Sequence, residues 1–308
     1  MKAIFYGSPQ LAVPFFSLVL RCCQVVAVVT QPDRPSGRGM LPKPTPVKVL
    51  ADSKGIRVFQ PHKISEIIAE LSALRADLAV IVAYGKILPP EALAATLKGN
   101  LNVHFSCLPK YRGAAPIAWS LMRGEQRTGV TCFWVDAGMD TGPIQRLAEI
   151  SIAPEDDAVS LTQKLSELGL WTLSVCLSDI EAGRIFREAQ RGEPSLAPKL
   201  KPEDRVIAWD MPAEAILNRV RALAAGPPAS LRLQGGPINV FRARLGDMKP
   251  AHSARPGAVV DIEAGKGFLV QCQTGKLWIL EVQPGGKKRM PAAAFLNGLH
   301  LKKGDTLR

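Results

Sequence analysis

An asparagine and a histidine two positions apart, Asn102 and His104, interrupt the otherwise apolar run Asn100–Phe105. On a strand, side chains at i and i+2 leave the same face. A strand here would project the carboxamide and the imidazole together and send Val103 and Phe105 into the opposite layer. An imidazole accepts and returns a proton near neutral pH, and a carboxamide N–H stabilises an oxyanion developing within its reach. The same pair could instead cap the strand or satisfy neighbouring backbone groups. A third candidate lies in the loop 136–144, DAGMDTGPI. A carboxylate between two glycine-containing turns can reach a histidine on a neighbouring strand, fix its tautomer and stabilise the imidazolium. Asp140 suits this, Asp136 at the strand end competes with it, and Asp-Thr-Gly also reads as an Asx turn. A fourth feature is the loop 31–44, which carries Arg34, Arg38 and Lys43 against Asp33. With glycine on both sides of Arg38, it can order onto a phosphate-rich partner through bidentate guanidinium contacts, or remain an exposed linker.

These residues need a scaffold, and the chain has room for one. Its 308 residues, 47% hydrophobic and 21% charged, are enough for two domains with sizeable cores. Apolar runs at Lys2–Tyr6, Val25–Thr30, Asp77–Ala83, Asn100–Phe105 and Gly129–Val135 alternate with helical patterns at Leu11–Leu20, Ile64–Leu74, Ala114–Met122 and Leu161–Glu181. That alternation predicts an α/β, Rossmann-like, mostly parallel sheet over residues 1–184, whose strand ends open into a ligand crevice. The first turn, Gly7-Ser8-Pro9-Gln10-Leu11-Ala12, lacks the second and third glycines of a dinucleotide fingerprint, so no nicotinamide cofactor is expected. Residues 185–203 are polar, hold three prolines without a period and read as a linker. Beyond them, a helix at Ala213–Ala225 precedes short runs separated by glycine-rich turns, which predict a small C-terminal β-barrel, OB-like, over 204–308.

Charge narrows the partner class. Thirty-nine Lys and Arg against 27 Asp and Glu give +12, of which residues 202–308 carry +7. Such an excess suits a polyanion, although it also describes an unspecialised basic surface. Six scattered cysteines without a CxxC pair argue against both a disulfide framework and a structural zinc, and no metal is expected. No apolar run reaches membrane-spanning length, and the N-terminus is too short and too quickly interrupted for a signal peptide, so a cytoplasmic address is expected.

The four features occur in an order that resembles the methionyl-tRNA formyltransferase family over essentially the whole chain. The stretches that carry the likeness are GSP at 7–9, AVP at 12–14, QPDRPSGRG at 31–39 with PTPVKVLA after it, and VAYGKILP at 82–89. NVHFSCLPKYRGAAPI at 102–117 is the strongest, followed by GVT at 129–131, DAGMDTGPI at 136–144 and QPGGKKRM at 283–290. The resemblance implies transfer of the formyl group of 10-formyltetrahydrofolate to the amino group of initiator methionyl-tRNA, for translation initiation. It implies Asn102, His104 and Asp140 as the catalytic trio. Ser106, Cys107, Leu108 and Pro109 would form the folate-binding turn, and Val82, Ala83, Tyr84, Gly85, Ile87 and Leu88 the wall that receives the pterin through backbone groups. It implies Arg38 against the tRNA acceptor stem; Arg34 and Lys43 beside it, and Lys287 and Lys288 of a tRNA-binding C-terminal domain, are expected to bind the tRNA as well, and a monomer is expected. Phe105 departs from the family's usual glycine, and either narrows the pocket or packs into the core. Cys107 departs from a usual leucine. His104 could act as base or as oxyanion donor. The alternatives are a formyltransferase acting on an amino-sugar nucleotide or glycinamide ribonucleotide, and a non-enzymatic RNA-binding protein.

Overall fold

The computed structural model describes residues 1–36, 41–233, 236–247, 254–296 and 301–307. The chain forms two compact units, and each draws on more than one stretch of sequence. The first comprises Met1–Pro116, Arg127–Ser151 and Gln163–Pro198; the second comprises Ile117–Gln126, Ile152–Thr162 and Lys199–Arg308.

Strands β1 (Lys2–Gly7), β2 (Gln24–Val29), β3 (Arg34–Ser36), β4 (Leu41–Lys43), β5 (Val58–Phe59), β6 (Leu78–Val82), β7 (Asn100–His104), β8 (Arg127–Trp134) and β9 (Ile144–Ser151) belong to the first unit. Seven of them form a sheet in the order β5-β2-β1-β6-β7-β8-β9, while β3 and β4 make a separate hairpin. Pairing is parallel from β5 to β7 and antiparallel at β7–β8 and β8–β9. The expected mostly parallel sheet is present, with an antiparallel margin where the Asn-His strand lies. Strand β6, LAVIV, is buried at every residue, as a strand covered on both faces must be. Ile4, Tyr6, Ala27, Val29, Ala79 and Ile81 enter one hydrophobic layer. On the other face, Phe5 stacks on Phe16 of helix α1 (Val13–Cys22), with ring centroids 4.9 Å apart.

Phe105 belongs to that second layer. It is 6% exposed and meets Phe15 edge-on at 5.9 Å. The core reading of this departure therefore holds, and the ring is turned away from the face that carries His104. Phe105→Ala would remove a buried aromatic and is expected to destabilise the chain by about 3–5 kcal/mol, read as a lowered denaturation midpoint, while turnover by the folded protein is retained.

In the second unit, β10 (Ala229–Leu233), β11 (Gly236–Leu245), β12 (Val259–Glu263), β13 (Gly267–Gln271) and β14 (Lys276–Pro284) form an antiparallel sheet in the order β10-β11-β14-β13-β12, with β15 (Met290–Pro291) on β14. Ala213, Ile216 and Val220 of the helix Ala213–Ala222 close its core against Val240, Ile279 and Val282. The expected short strands are present. Barrel closure is not: among the described residues no pairing joins β10 to β12, and the domain is an antiparallel sheet whose outer strands meet short segments, β10 at Ser230 and β12 at Val259. Among the described residues, no helix is long and apolar enough to cross a membrane.

Residues 185–198, expected as a linker, lie along the first unit. Trp134 Nε1 donates to the Phe186 carbonyl at 2.7 Å, and Ile144 and Glu188 exchange backbone hydrogen bonds of 2.7 and 3.0 Å. Farther on, Arg112 and Ala197 are joined by a 2.7 Å backbone bond.

Candidate active site

Register places the central pair. Asn102 lies beside Ile81 of β6 and opposite Phe133 of β8, and His104 lies opposite Thr131. All of them leave the sheet on one face. The His104 ring meets Phe133 edge-on at 6.4 Å and is 6% exposed. Asn102 is half-buried, and its carboxamide takes no part in the hydrogen bonds formed among the described residues.

The two nitrogens of His104 have different surroundings. Nε2 lies 2.9 Å from the Tyr111 carbonyl oxygen, and Nδ1 lies 3.5 Å from Asp140 Oδ2. A carbonyl oxygen only accepts, so the proton on Nε2 is fixed there. Burial holds the imidazole below its ordinary pKa, opposed by the Asp140 carboxylate and by the Tyr111 hydrogen bond. A neutral ring of this tautomer turns the Nδ1 lone pair toward the carboxylate side. Asp140 Oδ2 also accepts from the Gly113 N–H at 2.7 Å. The competing Asp136 is occupied by its own turn, accepting from Gly138 N–H at 3.0 Å and Thr141 Oγ1 at 2.6 Å. Of the two loop aspartates, Asp140 is therefore the one brought to the histidine.

The turn after β7 is tied down by Thr131. Its hydroxyl donates to the Ser106 carbonyl at 2.7 Å and accepts from Leu108 N–H at 3.1 Å, while Ser106 Oγ donates to the Lys110 carbonyl at 2.6 Å. Gly129 completes this arrangement, because a Cβ there would strike Cys107 Sγ and the Ala148 carbonyl. The Gly-Val-Thr motif thus provides clearance at its first residue and a clamp at its third. The Leu108–Pro109 peptide is cis, and Ser106, Leu108 and Pro109 are buried while Cys107 is half-buried.

The 82–88 stretch leaves the end of β6, next to the strand that carries His104. Its side chains divide. Val82, Tyr84 and Leu88 are buried, with Tyr84 edge-on to Tyr6 at 5.5 Å, whereas Ala83, Gly85 and Ile87 are exposed. Ala83 and Gly85 have φ of +48° and +77°. The Tyr84 carbonyl already accepts from Gln31 Nε2 at 2.9 Å.

Arg34 and Lys43 are exposed and stand directly opposite one another in the β3–β4 hairpin. Asp33 does not neutralise them: its carboxylate pairs with Lys48 at 2.7 Å and accepts from Gln60 at 2.6 Å, which hold it below the usual carboxylate range. Arg38 lies outside the described residues. Lys287 and Lys288 are exposed in the second unit, in the turn between β14 and β15.

Two polar residues to which no sequence motif points, Gln190 and Ser195, converge on the histidine's partners, the first also through Arg112 of the 102–117 stretch. Gln190 Nε2 donates to the carbonyls of Asp140 and Gly142 at 2.8 and 2.9 Å, and its Oε1 accepts from Arg112 Nη2 at 2.6 Å. Ser195 Oγ accepts from Tyr111 N–H at 2.9 Å. Gln190 and Ser195 sit in the aperiodic 185–198 segment, where no spacing signals them. A cavity of about 770 Å³ is lined by Leu108, Ile144, Leu147, Phe186, Ala189 and Arg191 among others, and by none of Asn102, His104 and Asp140.

Residues 20–177 match the formyl transferase family model and residues 199–300 match the formyl transferase C-terminal domain. The chain is 41% identical to the methionyl-tRNA formyltransferase of Elusimicrobium minutum, over 100% of this chain and 99% of that one. It is 43% identical to that of Trichlorobacter lovleyi, over 99% and 96%. Among solved structures, the N-formyltransferase of Helicobacter canadensis, in complex with folinic acid and dTDP-3-aminofucose, shares the fold at TM-score 0.68 and 19% identity, over 91% of this chain and 98% of that one. HypX of Aquifex aeolicus matches at TM-score 0.62 and 18% identity; this chain is covered entirely and spans about half of HypX, 50%.

Proposed function

Since the chain belongs to the methionyl-tRNA formyltransferase family, we propose that it transfers the formyl group of 10-formyltetrahydrofolate to the α-amino group of initiator methionyl-tRNA. The observation that carries this reading is the pair of His104 contacts, with one ring nitrogen committed to the Tyr111 carbonyl and the other turned toward Asp140.

The residues present fit the folate co-substrate. The Asn102 carboxamide is uncommitted among the described residues, and the loop after β6 keeps exposed backbone at Ala83 and Gly85 beside it. The pterin would rest against Val82–Leu88 through backbone groups other than the Tyr84 carbonyl, which Gln31 occupies. The Ser106–Pro109 turn would close the other side. When bound, the co-substrate supplies an electrophilic formyl carbon on N10.

The chain's own residues then have separate tasks. Asn102 donates an N–H to the formyl oxygen as negative charge develops there. His104 Nδ1 takes the proton released by the attacking methionyl amine, directly or through a water, and later returns one toward the leaving nitrogen. The base reading is favoured over the oxyanion-donor reading because burial keeps the ring neutral before reaction and Nε2 is already spent on Tyr111. Asp140 stabilises the imidazolium once it forms and is itself oriented by the Gly113 N–H.

The hairpin supports a polyanionic second substrate. Like charges directly opposite in a β-pair repel, and Arg34 and Lys43 hold such positions without a carboxylate between them. A phosphate backbone relieves that repulsion. Arg34→Ala with Lys43→Ala is expected to raise the KM for methionyl-tRNA, to lower the salt slope of tRNA binding by about 1 for each phosphate no longer neutralised, and to leave the KM for the folate unchanged. Steady-state kinetics and a salt titration of tRNA binding check this. The reading as a whole is tested by offering the formyl donor with methionyl initiator tRNA, uncharged tRNA and an amino-sugar nucleotide in parallel. Formylation of the sugar nucleotide alone would overturn it.

A further inference from the structure

Both partners of His104 are non-glycine residues in the left-handed backbone region: Tyr111 has φ +61° and Asp140 has φ +55°. Such conformations are costly for a residue with a side chain and persist only where the surroundings over-determine them. One side chain, that of Gln190, is hydrogen-bonded to both loops. Its Nε2 donates to the carbonyls of Asp140 and Gly142, at 2.8 and 2.9 Å. Its Oε1 accepts from Arg112 Nε and Nη2, at 3.2 and 2.6 Å. Arg112 stands between Tyr111, whose carbonyl receives His104 Nε2–H, and Gly113, whose N–H holds the Asp140 carboxylate. One half-buried amide thus bridges the two loops that address opposite nitrogens of the imidazole. Ala189 and Arg191, on either side of it, line the neighbouring cavity instead.

We propose that Gln190 is a positioning residue for the His104–Asp140 pair, acting through its two carbonyl acceptors on the Asp140 loop and through Arg112 on the Tyr111 loop. The proposal rests on the catalytic roles given above and adds a residue from outside the motifs that carry them. Gln190 makes no contact with His104; it sets where Tyr111 O and Asp140 Oδ2 stand. Asp140 supplies the charge acting on the imidazole, β8 faces the ring with the uncharged Phe133, and the loop after β7 faces it through the Tyr111 carbonyl.

Two substitutions separate the arms. Gln190→Ala removes both. Gln190→Glu keeps an oxygen acceptor for Arg112 but has no N–H for the Asp140 and Gly142 carbonyls. Displacements of about 1 Å in a catalytic constellation lower rates by up to about a hundredfold, so Gln190→Ala is expected to lower kcat by about tenfold to a hundredfold with both KM values nearly unchanged. Gln190→Glu is expected to lower kcat as well. The second readout needs no substrate: nitrogen-15 NMR of His104, assigned by loss of its signals in His104→Gln. Wild type and Gln190→Glu are expected to show the neutral Nε2–H tautomer, and Gln190→Ala a mixture of tautomers. Thermal melts establish that each variant is folded, and Gln190→Glu carries the kcat test should Gln190→Ala fail to fold. Wild-type kcat in Gln190→Glu, or an unaltered tautomer in folded Gln190→Ala, would overturn the proposal. A wild-type protein that formylates no methionyl-tRNA, yet shows the tautomer change on substitution, would instead sink the functional reading and leave the positioning role standing.

Discussion

His104→Gln is expected to lower kcat by about 10²–10⁴-fold, the range over which a positioned general acid–base group contributes, while tRNA still binds. Glutamine keeps an N–H that can meet the Tyr111 carbonyl but offers no basic nitrogen to the attacking amine. Steady-state kinetics beside a tRNA-binding measurement check this; a variant within tenfold of wild-type kcat would mean that another group takes the proton. The same reading fixes a direction in the free protein. Burial is the largest influence on His104 and acts downward, so its imidazole should titrate below the ordinary value of about 6.5. Asp140 acts upward, so Asp140→Asn should move the titration lower still. A proton NMR titration of the two proteins reads both, and an upward move in Asp140→Asn would contradict the field assigned to that carboxylate.

Asn102→Ala carries the second large effect. Loss of one oxyanion donor lowers turnover by about 10²–10³-fold, and here the donor's carboxamide has no other hydrogen bond among the described residues to give up. The substitution lies on β7, whose backbone pairing with β6 and β8 does not depend on the side chain, so stability should change little. Near-normal turnover in single-turnover assays would remove Asn102 from the chemistry. Loss of turnover with a matching collapse of the melting transition would make it structural.

Much of this site is legible in residue order. The i, i+2 spacing of Asn102 and His104 predicts a shared face because strand geometry leaves no other choice, and it also predicts that Phe105 turns to the other layer, where it meets Phe15. The choice between Asp136 and Asp140 is not legible. It depends on Thr141 and Gly138 folding back onto Asp136, a local competition that residue type alone leaves balanced. Strand β9 gives no clear signal because its sequence, IQRLAEIS, alternates weakly, as an edge strand with one partner can. The 185–198 segment reads as a linker for a physical reason. Its order comes from hydrogen bonds made to loops far away in sequence, not from an apolar period of its own, and composition is blind to that.

That segment also places the site in the order of folding. Asp140 and Gln190 are 50 residues apart, and Tyr111 and Ser195 are 84 apart, so these contacts close only after long stretches of chain have lost their freedom. The parallel pairing of β1 with β6 also joins distant residues, Ala3 with Leu78, but it lies wholly within the first 82 residues of the chain. On a nascent chain the geometry around the imidazole must wait until residue 197 has emerged, well after the sheet's last strand, β9, which ends at Ser151. A chain stopped at Arg184 would hold every residue of the Asn-His-Asp trio, with Tyr111 and Gly113 beside it, and lack Gln190 and Ser195, which tie the two loops around it.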